Sequence, residues 1–163
     1  MSGNGTSGAG TVRTASLRDL DVLVHLWIAI TEHHAGFDPA FRLRIAPEDE
    51  IRQLLRGILR EPDAAILAFD DGGDVPGMCI VRIDHSPPIM EETARAEITD
   101  LGVRPAARRR GIASALLDAA LAFVREQGVS RVEVHVSVDN AEGQAFWRAR
   151  GFADLMDVLH KRL

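Results

Sequence analysis

Three consecutive arginines and a glycine, Arg108-Arg109-Arg110-Gly111, stand where a strand-like segment gives way to a long apolar stretch at helical spacing. Residues of these types at a helix start are suited to holding phosphate. The N–H groups of a first helical turn have no partner inside the helix, and the aligned peptide dipoles leave partial positive charge there. Gly111 has no Cβ to keep a bulky anion away from that backbone, and guanidinium groups offer planar, bidentate donors to phosphate oxygens. Pro105 ends the preceding strand by removing a ladder donor. The net charge is −5, so this basic run is a positive island in an acidic chain, as a polyanionic ligand requires.

The turn belongs to a longer pattern. Arg108-x-x-Gly111-x-Ala113 is followed by a β-branched strand, Val132-Glu133-Val134-His135-Val136-Ser137, and then by Asn140-Ala141 opening a helix that ends at Gly151-Phe152. In order and spacing this stretch, from about Ala94 to Phe152, resembles the GNAT superfamily of acyl-CoA-dependent N-acetyltransferases. The likeness extends more loosely to a strand over residues 12–15 and the helix after it. The resemblance implies an α/β (α+β) fold with a mixed, mostly antiparallel central sheet of about six to seven strands, splayed parallel strands 4 and 5, and about four flanking helices. It implies acetyl-CoA as co-substrate, its pyrophosphate held by Arg108, Arg109, Arg110, Gly111, Ile112 and Ala113. The backbone of Leu101, Gly102 and Val103 would bond the amide-bearing pantetheine arm in the cleft between the splayed strands. Asn140 either contacts that arm or caps the helix starting at Ala141, two roles that can coexist. Trp147 lies further along the same helix, on the cofactor side.

Acetyl transfer to an amine needs a neutral nitrogen, and an alkylamine is mostly protonated at neutral pH, so a base must take its proton, directly or through water. Glu97 matches the catalytic glutamate of some superfamily members and is the candidate general base; Asp100 is the second candidate. On a regular strand these two have opposite parity, so both face the cleft only if a bulge intervenes. Many relatives carry, at the position of Trp147, a Tyr that protonates the departing thiolate, whereas this chain has no Tyr at all. An indole N–H donates a hydrogen bond without acting as a practical acid. Water or the departing ammonium proton would then serve, with Trp147 as a core aromatic beside Phe146 and Phe152. The missing acid keeps open a second reading, a catalytically weak acyl-CoA-binding or sensing module, and a third, a partner-binding protein without a CoA site.

The resemblance places acceptor contacts on the first two helices and nearby loops, here Trp27, His33, His34 and Phe37. Glu32, Glu91 and Glu92 tilt that set towards a cationic amine on a small molecule or peptide. His33 and His34 diverge on a helix, and no carboxylate or Cys completes a ligand spacing, so no metal is expected. His135 alternates with Val134 and Val136 and faces either core or cleft; no role is assigned to it.

The elements that must position these groups follow from the periodicities. After the strand at 12–15, Ser16 stands at the cap position of a helix over residues 17–34, with Leu20, Leu23, Val24, Trp27, Ile28 and Thr31 at helical spacing. A second helix after Pro47 turns Ile51, Leu54, Leu55, Ile58 and Leu59 inward. Residues 64–69 and 78–84 read as a hairpin across the Asp- and Gly-rich turn at 70–74. The helix from Gly111 to Gln127 crosses to the Val132 strand, a short helix spans residues 140–150, and residues 154–160 return as an edge strand that makes a homodimer reasonable.

With 163 residues and 46% hydrophobic content, the chain suits one domain over residues 11–163, after a Gly- and Ser-rich flexible tail at 1–10. An acidic balance argues against a general nucleic-acid binder. A single cysteine, Cys79, flanked by Met78 and Ile80, excludes an internal disulfide and suits a reducing cytoplasm. No run is long and apolar enough for a bilayer span and the N-terminus has no signal-peptide pattern, so no membrane partner is expected.

Overall fold

Apolar residues fall on both faces of the central hairpin, which requires a helical layer on each side of the sheet. A computed structural model describes residues 10–161 and 163. The tail expected at residues 1–10 lies, except for Gly10, outside the described residues. The elements in order are β1 (Thr11–Thr14), α1 (Leu20–Ala35), α2 (Glu48–Ile58), β2 (Ala64–Asp71), β3 (Asp74–His85), β4 (Ala94–Val103), α3 (Ile112–Glu126), β5 (Val132–Val134) and α4 (Ala141–Ala149). The sheet runs β1-β2-β3-β4-β5, antiparallel through β4 and parallel between β4 and β5.

One face of the hairpin presents Leu67, Phe69, Cys79 and Val81 to α3, which buries Ile112, Leu116, Leu117, Ala120 and Val124 against them. The other presents Ile66, Ala68, Met78 and Ile80 to α1 and α2, which contribute Leu23, Val24, Ile30, Ile51, Leu55 and Ile58. At about 25 cal/mol per Å² of apolar surface, these two layers supply the main driving force for folding. Leu54, expected inward, is 45% exposed. Its neighbours Ile51, Leu55 and Ile58 complete the stripe, and Leu54 falls on the flank just past the reach of α1 and the sheet.

Ser16 is a cap, as its sequence position suggests, but for a single 3-10 turn at Leu17–Asp19 that precedes α1. Its backbone N–H donates to Asp19 Oδ2 at 2.7 Å, and its hydroxyl accepts from the Arg18 N–H at 3.3 Å. Arg13 on β1 clamps the same carboxylate with two donors, at 2.9 and 2.8 Å, and reaches Asp70 on β2 at 2.9 Å. The Arg13 guanidinium holds the Asp19 carboxyl at a pKa of about 2.

Among the described residues the sheet has five strands where six to seven were expected. The missing edge strand at residues 154–160 is exposed chain with no ladder partner among the described residues. Its apolar residues come in doublets, Leu155-Met156 and Val158-Leu159, which on a strand would put apolar side chains on both faces of an edge with no layer to cover the second.

β4 carries the irregularity that matters for the site. Ile80 pairs with Asp100 and Val81 with Ile98, leaving Thr99 as an extra residue. Ala96, Ile98, Leu101 and Val103 all turn to the α3 side. Glu97, Asp100 and Gly102 therefore share the opposite face, the arrangement that alternation alone forbids.

Candidate active site

β4 and β5 pair only from Ala96–Ile98 to Val132–Val134, and beyond those residues the strands part. The gap opens into a cleft of about 690 Å³. One wall is the free side of β4 at Leu101, Gly102 and Val103; Val134, His135 and Val136 form the other. The N-terminus of α3 closes one end, while α4 and the C-terminal half of α1 border the rest.

At the α3 end, Arg109 (φ 61°) and Gly111 (φ 78°) both adopt left-handed backbone. Such conformations turn successive N–H groups towards one concavity. Gly111 precedes Ile112 with no side-chain cap, and the first helical bond runs from the Ala115 N–H to the Gly111 carbonyl at 3.0 Å. The N–H groups of Ile112 to Ser114 thus have no acceptor within the helix, and Gly111, Ile112 and Ala113 line the cleft. A Cβ at Gly111 would meet nothing within 4 Å, so the positive φ, and not crowding within the protein, is what favours glycine there. The three arginines separate: Arg108 and Arg109 border the cleft, whereas Arg110 pairs with Asp71 at 2.8 Å and ties the turn to the β2–β3 hairpin.

Asn140 is buried, and its Oδ1 accepts from the Gly143 N–H at 2.9 Å, capping α4. It also lines the cleft. Trp147 is buried edge-on between Phe146 and Phe152, with ring centroids 5.1 and 5.0 Å away, and one side of it reaches the cleft wall. Its ring is a core aromatic, packed as T-shaped pairs prefer.

The titratable cluster sits on the face of β4 and β5 that turns away from α3. Val132, Val134 and Val136 pack towards α3, so His135 projects to the other side, where its Nδ1 lies 3.0 Å from Glu97 Oε1. Asp100 accepts from the Thr99 hydroxyl at 2.8 Å. Burial raises its pKa, an effect the Thr99 bond opposes and the nearby Glu97 charge reinforces. Two carboxylates and an imidazole on one face can accept and pass a proton. His135 forms part of the cleft wall; Glu97 and Asp100 stand behind it.

Residues 27–152 match the sequence model of the Acetyltransferase (GNAT) family. The chain belongs to that family. Over 92 residues, 56% of this chain, it is 44% identical to the mycothiol acetyltransferase of Beutenbergia cavernae. That stretch covers 29% of the relative, so the chain matches less than a third of its length. Among solved structures, a tetramutant of the BH1408 protein of Bacillus halodurans superposes with a TM-score of 0.81 at 19% identity, over 93% of this chain and 99% of that one. A predicted acetyltransferase of Clostridium acetobutylicum, solved with acetyl-CoA, gives 0.74 at 18% identity, over 94% and 96%. At these identities the structural likeness concerns the GNAT fold alone.

Within this GNAT cleft the structure gathers Leu101, Gly102, Val103, Arg108, Arg109, Gly111, Ile112, Ala113, Asn140 and Trp147, together with His33 and His34 from the last turns of α1. Phe37 stacks edge-on to His33 at 5.1 Å, and Trp27 packs back against the α1–α2 layer, off the cleft wall. The His34 pKa is lowered by burial and by the adjacent His33. Cys79 is fully buried and its thiol is pushed up by that burial, which makes it inert. Among the described residues no group of three or more His, Cys, Asp or Glu could hold a metal ion, and no helix is long and apolar enough to cross a membrane. Sequence reasoning left His135 without a role; the signal available was the Val-x-Val-His-Val alternation, which puts His135 on Glu133's face, opposite the valines.

Proposed function

We propose that this chain transfers the acetyl group of acetyl-CoA to a primary amine of a small molecule or peptide, with both substrates held together in the β4–β5 cleft. The observation that carries this reading is a side-chain-uncapped helix N-terminus, flanked by two arginines, opening onto a groove that runs along unpaired β4 backbone to a cluster of proton acceptors. The donor set fits a pyrophosphate at one end, at Arg108, Arg109 and the N–H groups of Ile112 and Ala113. It fits an amide-bearing arm in the middle, along Leu101 to Val103. Acetyl-CoA supplies a thioester that is already activated for acyl transfer. The protein's share is to hold the acceptor nitrogen beside it, exclude water and take a proton through the Glu97–His135–Asp100 face.

Glu32 on α1 and Glu142 on α4 border the same cleft and favour a cationic acceptor. The mycothiol acetyltransferase relatives make their acceptor an informative member of any amine panel. The absence of Tyr and the burial of Trp147 favour a second reading, a catalytically weak acyl-CoA-binding or sensing module.

Calorimetric titration with acetyl-CoA tests the proposal, followed by thiol release with a panel of primary amines. Saturable binding with amine-dependent thiol release supports the transferase. Binding without release for any amine supports the sensing module, and no binding removes both.

A further inference from the structure

We infer that His135 is the residue that takes the acceptor's proton, and that Glu97 is a positioning residue behind it; this rests on the acetyltransferase reading above. Strand alternation and the Thr99 bulge put His135, Glu97 and Asp100 on one face, but they are not equally reachable. The His135 side chain is 67% exposed and stands on the cleft wall, whereas Glu97 is 25% exposed and off that wall. Asp100 stands one bulge further along β4, held by Thr99 and opposite Ile80. A substrate in the cleft meets the imidazole first.

Glu97 Oε1 lies 3.0 Å from His135 Nδ1, within ion-pair distance. A carboxylate beside Nδ1 favours the ring proton on that nitrogen, which leaves the Nε2 lone pair to the cleft. Of the other histidines on the cleft wall, His33 and His34 of α1, neither has a carboxylate paired to a ring nitrogen among the described residues.

The assignment also closes the proton balance in a chain without tyrosine. Once the acceptor's ammonium proton has been lost to solvent, the neutral amine nitrogen bonds to the thioester carbonyl carbon and one N–H proton passes to His135 Nε2. When the C–S bond breaks, its electron pair stays on sulfur, and the proton held by the ring goes to that thiolate. One imidazole therefore serves as base and then as acid, so no separate phenol is needed on α4. The net products are amide and free thiol, with the ring returned to its starting state.

The test compares the parent with His135→Ala, His135→Gln and Glu97→Gln. His135 is exposed, so its removal leaves the core untouched. Acetyl-CoA Kd is read by calorimetry, kcat and amine KM by thiol release between about pH 6 and 9, and the ring tautomer by 15N signals of His135. The expected result is an acetyl-CoA Kd within about twofold throughout and kcat lower by on the order of 10²–10⁴-fold in both His135 variants. Glu97→Gln should lose about tenfold in kcat with amine KM little changed, and its neutral ring should shift towards the Nε2–H form. His135→Ala turning over within about twofold of the parent overturns the assignment and leaves the acetyltransferase reading standing. Glu97→Gln losing as much as His135→Ala with an unchanged tautomer also overturns it, returning the proton to Glu97. A parent that binds no acetyl-CoA, or binds it and releases no thiol with any amine, overturns both.

Discussion

Gly102 and Ile30 touch where α1 crosses β4: a Cβ at Gly102 would stand 2.2 Å from Ile30 Cγ1 and 2.5 Å from its Cδ1. The absent methyl is what lets α1 lie close enough for His33 and His34 to reach the cleft. In Gly102→Ala the overlap outweighs the ~0.4–1 kcal/mol that a Gly→Ala change gains through the unfolded chain, since overpacking costs about 1–3 kcal/mol. The variant should be less stable in urea unfolding and should raise the amine KM more than the acetyl-CoA Kd. A variant as stable as the parent would mean that α1 moves aside freely.

The arginine turn makes a graded prediction. Arg108→Ala and Arg109→Ala each remove a guanidinium at the cleft and should weaken acetyl-CoA binding about tenfold, on the scale of a charge-assisted hydrogen bond. Arg110→Ala breaks the 2.8 Å pair with Asp71 and should weaken binding less. Gly111→Val adds strain at φ 78° and fills the space against the α3 N-terminus, so it should abolish saturable binding in calorimetry. Equal losses in all three arginine variants would contradict the division between cleft and hairpin.

Acid stability should depend on Asp19. Its folded pKa is about 2 against an unfolded value of 3.8, lowered chiefly by Arg13. A depressed carboxyl stabilises the fold above its unfolded pKa and loses that contribution as pH falls through the folded one. The parent should therefore lose on the order of 1–2 kcal/mol between pH 3.8 and about 2. Asp19→Asn should be less stable at neutral pH and lack that loss. Coincident acid-unfolding curves for the two proteins would remove the Arg13–Asp19 pair as a determinant.

Asp100 has the opposite sign. Burial raises its pKa above 3.8, so ionising it costs stability as pH rises through that raised value. Asp100→Asn should melt higher than the parent at pH 7. The difference should vanish below pH 3.8, where the unfolded carboxyl is protonated too. A lower melting temperature at pH 7 would show that the carboxylate is stabilised by its surroundings.

Much of the fold was legible in the residues. The hairpin at 64–85, the apolar stripes of α1 and α3 and the turn before α3 follow from local periodicity, from Gly and Pro placement and from charge. Periodicity failed at Leu54, because a stripe's edge is set by what packs beside it. It failed again at residues 154–160, because an apolar stretch becomes a strand only where a ladder partner and a covering layer exist.

The sequence by itself determined the family, the arginine-glycine turn before α3 and which titratable residues the chain carries, since each rests on residue type and short spacing. Only the tertiary structure decided that Arg110 serves the hairpin while Arg108 and Arg109 face the cleft, that Thr99 bulges so that Glu97 and Asp100 share a face, and that His135 meets Glu97. The physical reason is the same in each case. Register shifts, strand splay and ion pairs join residues far apart in the chain, and their energies depend on partners that no local pattern encodes.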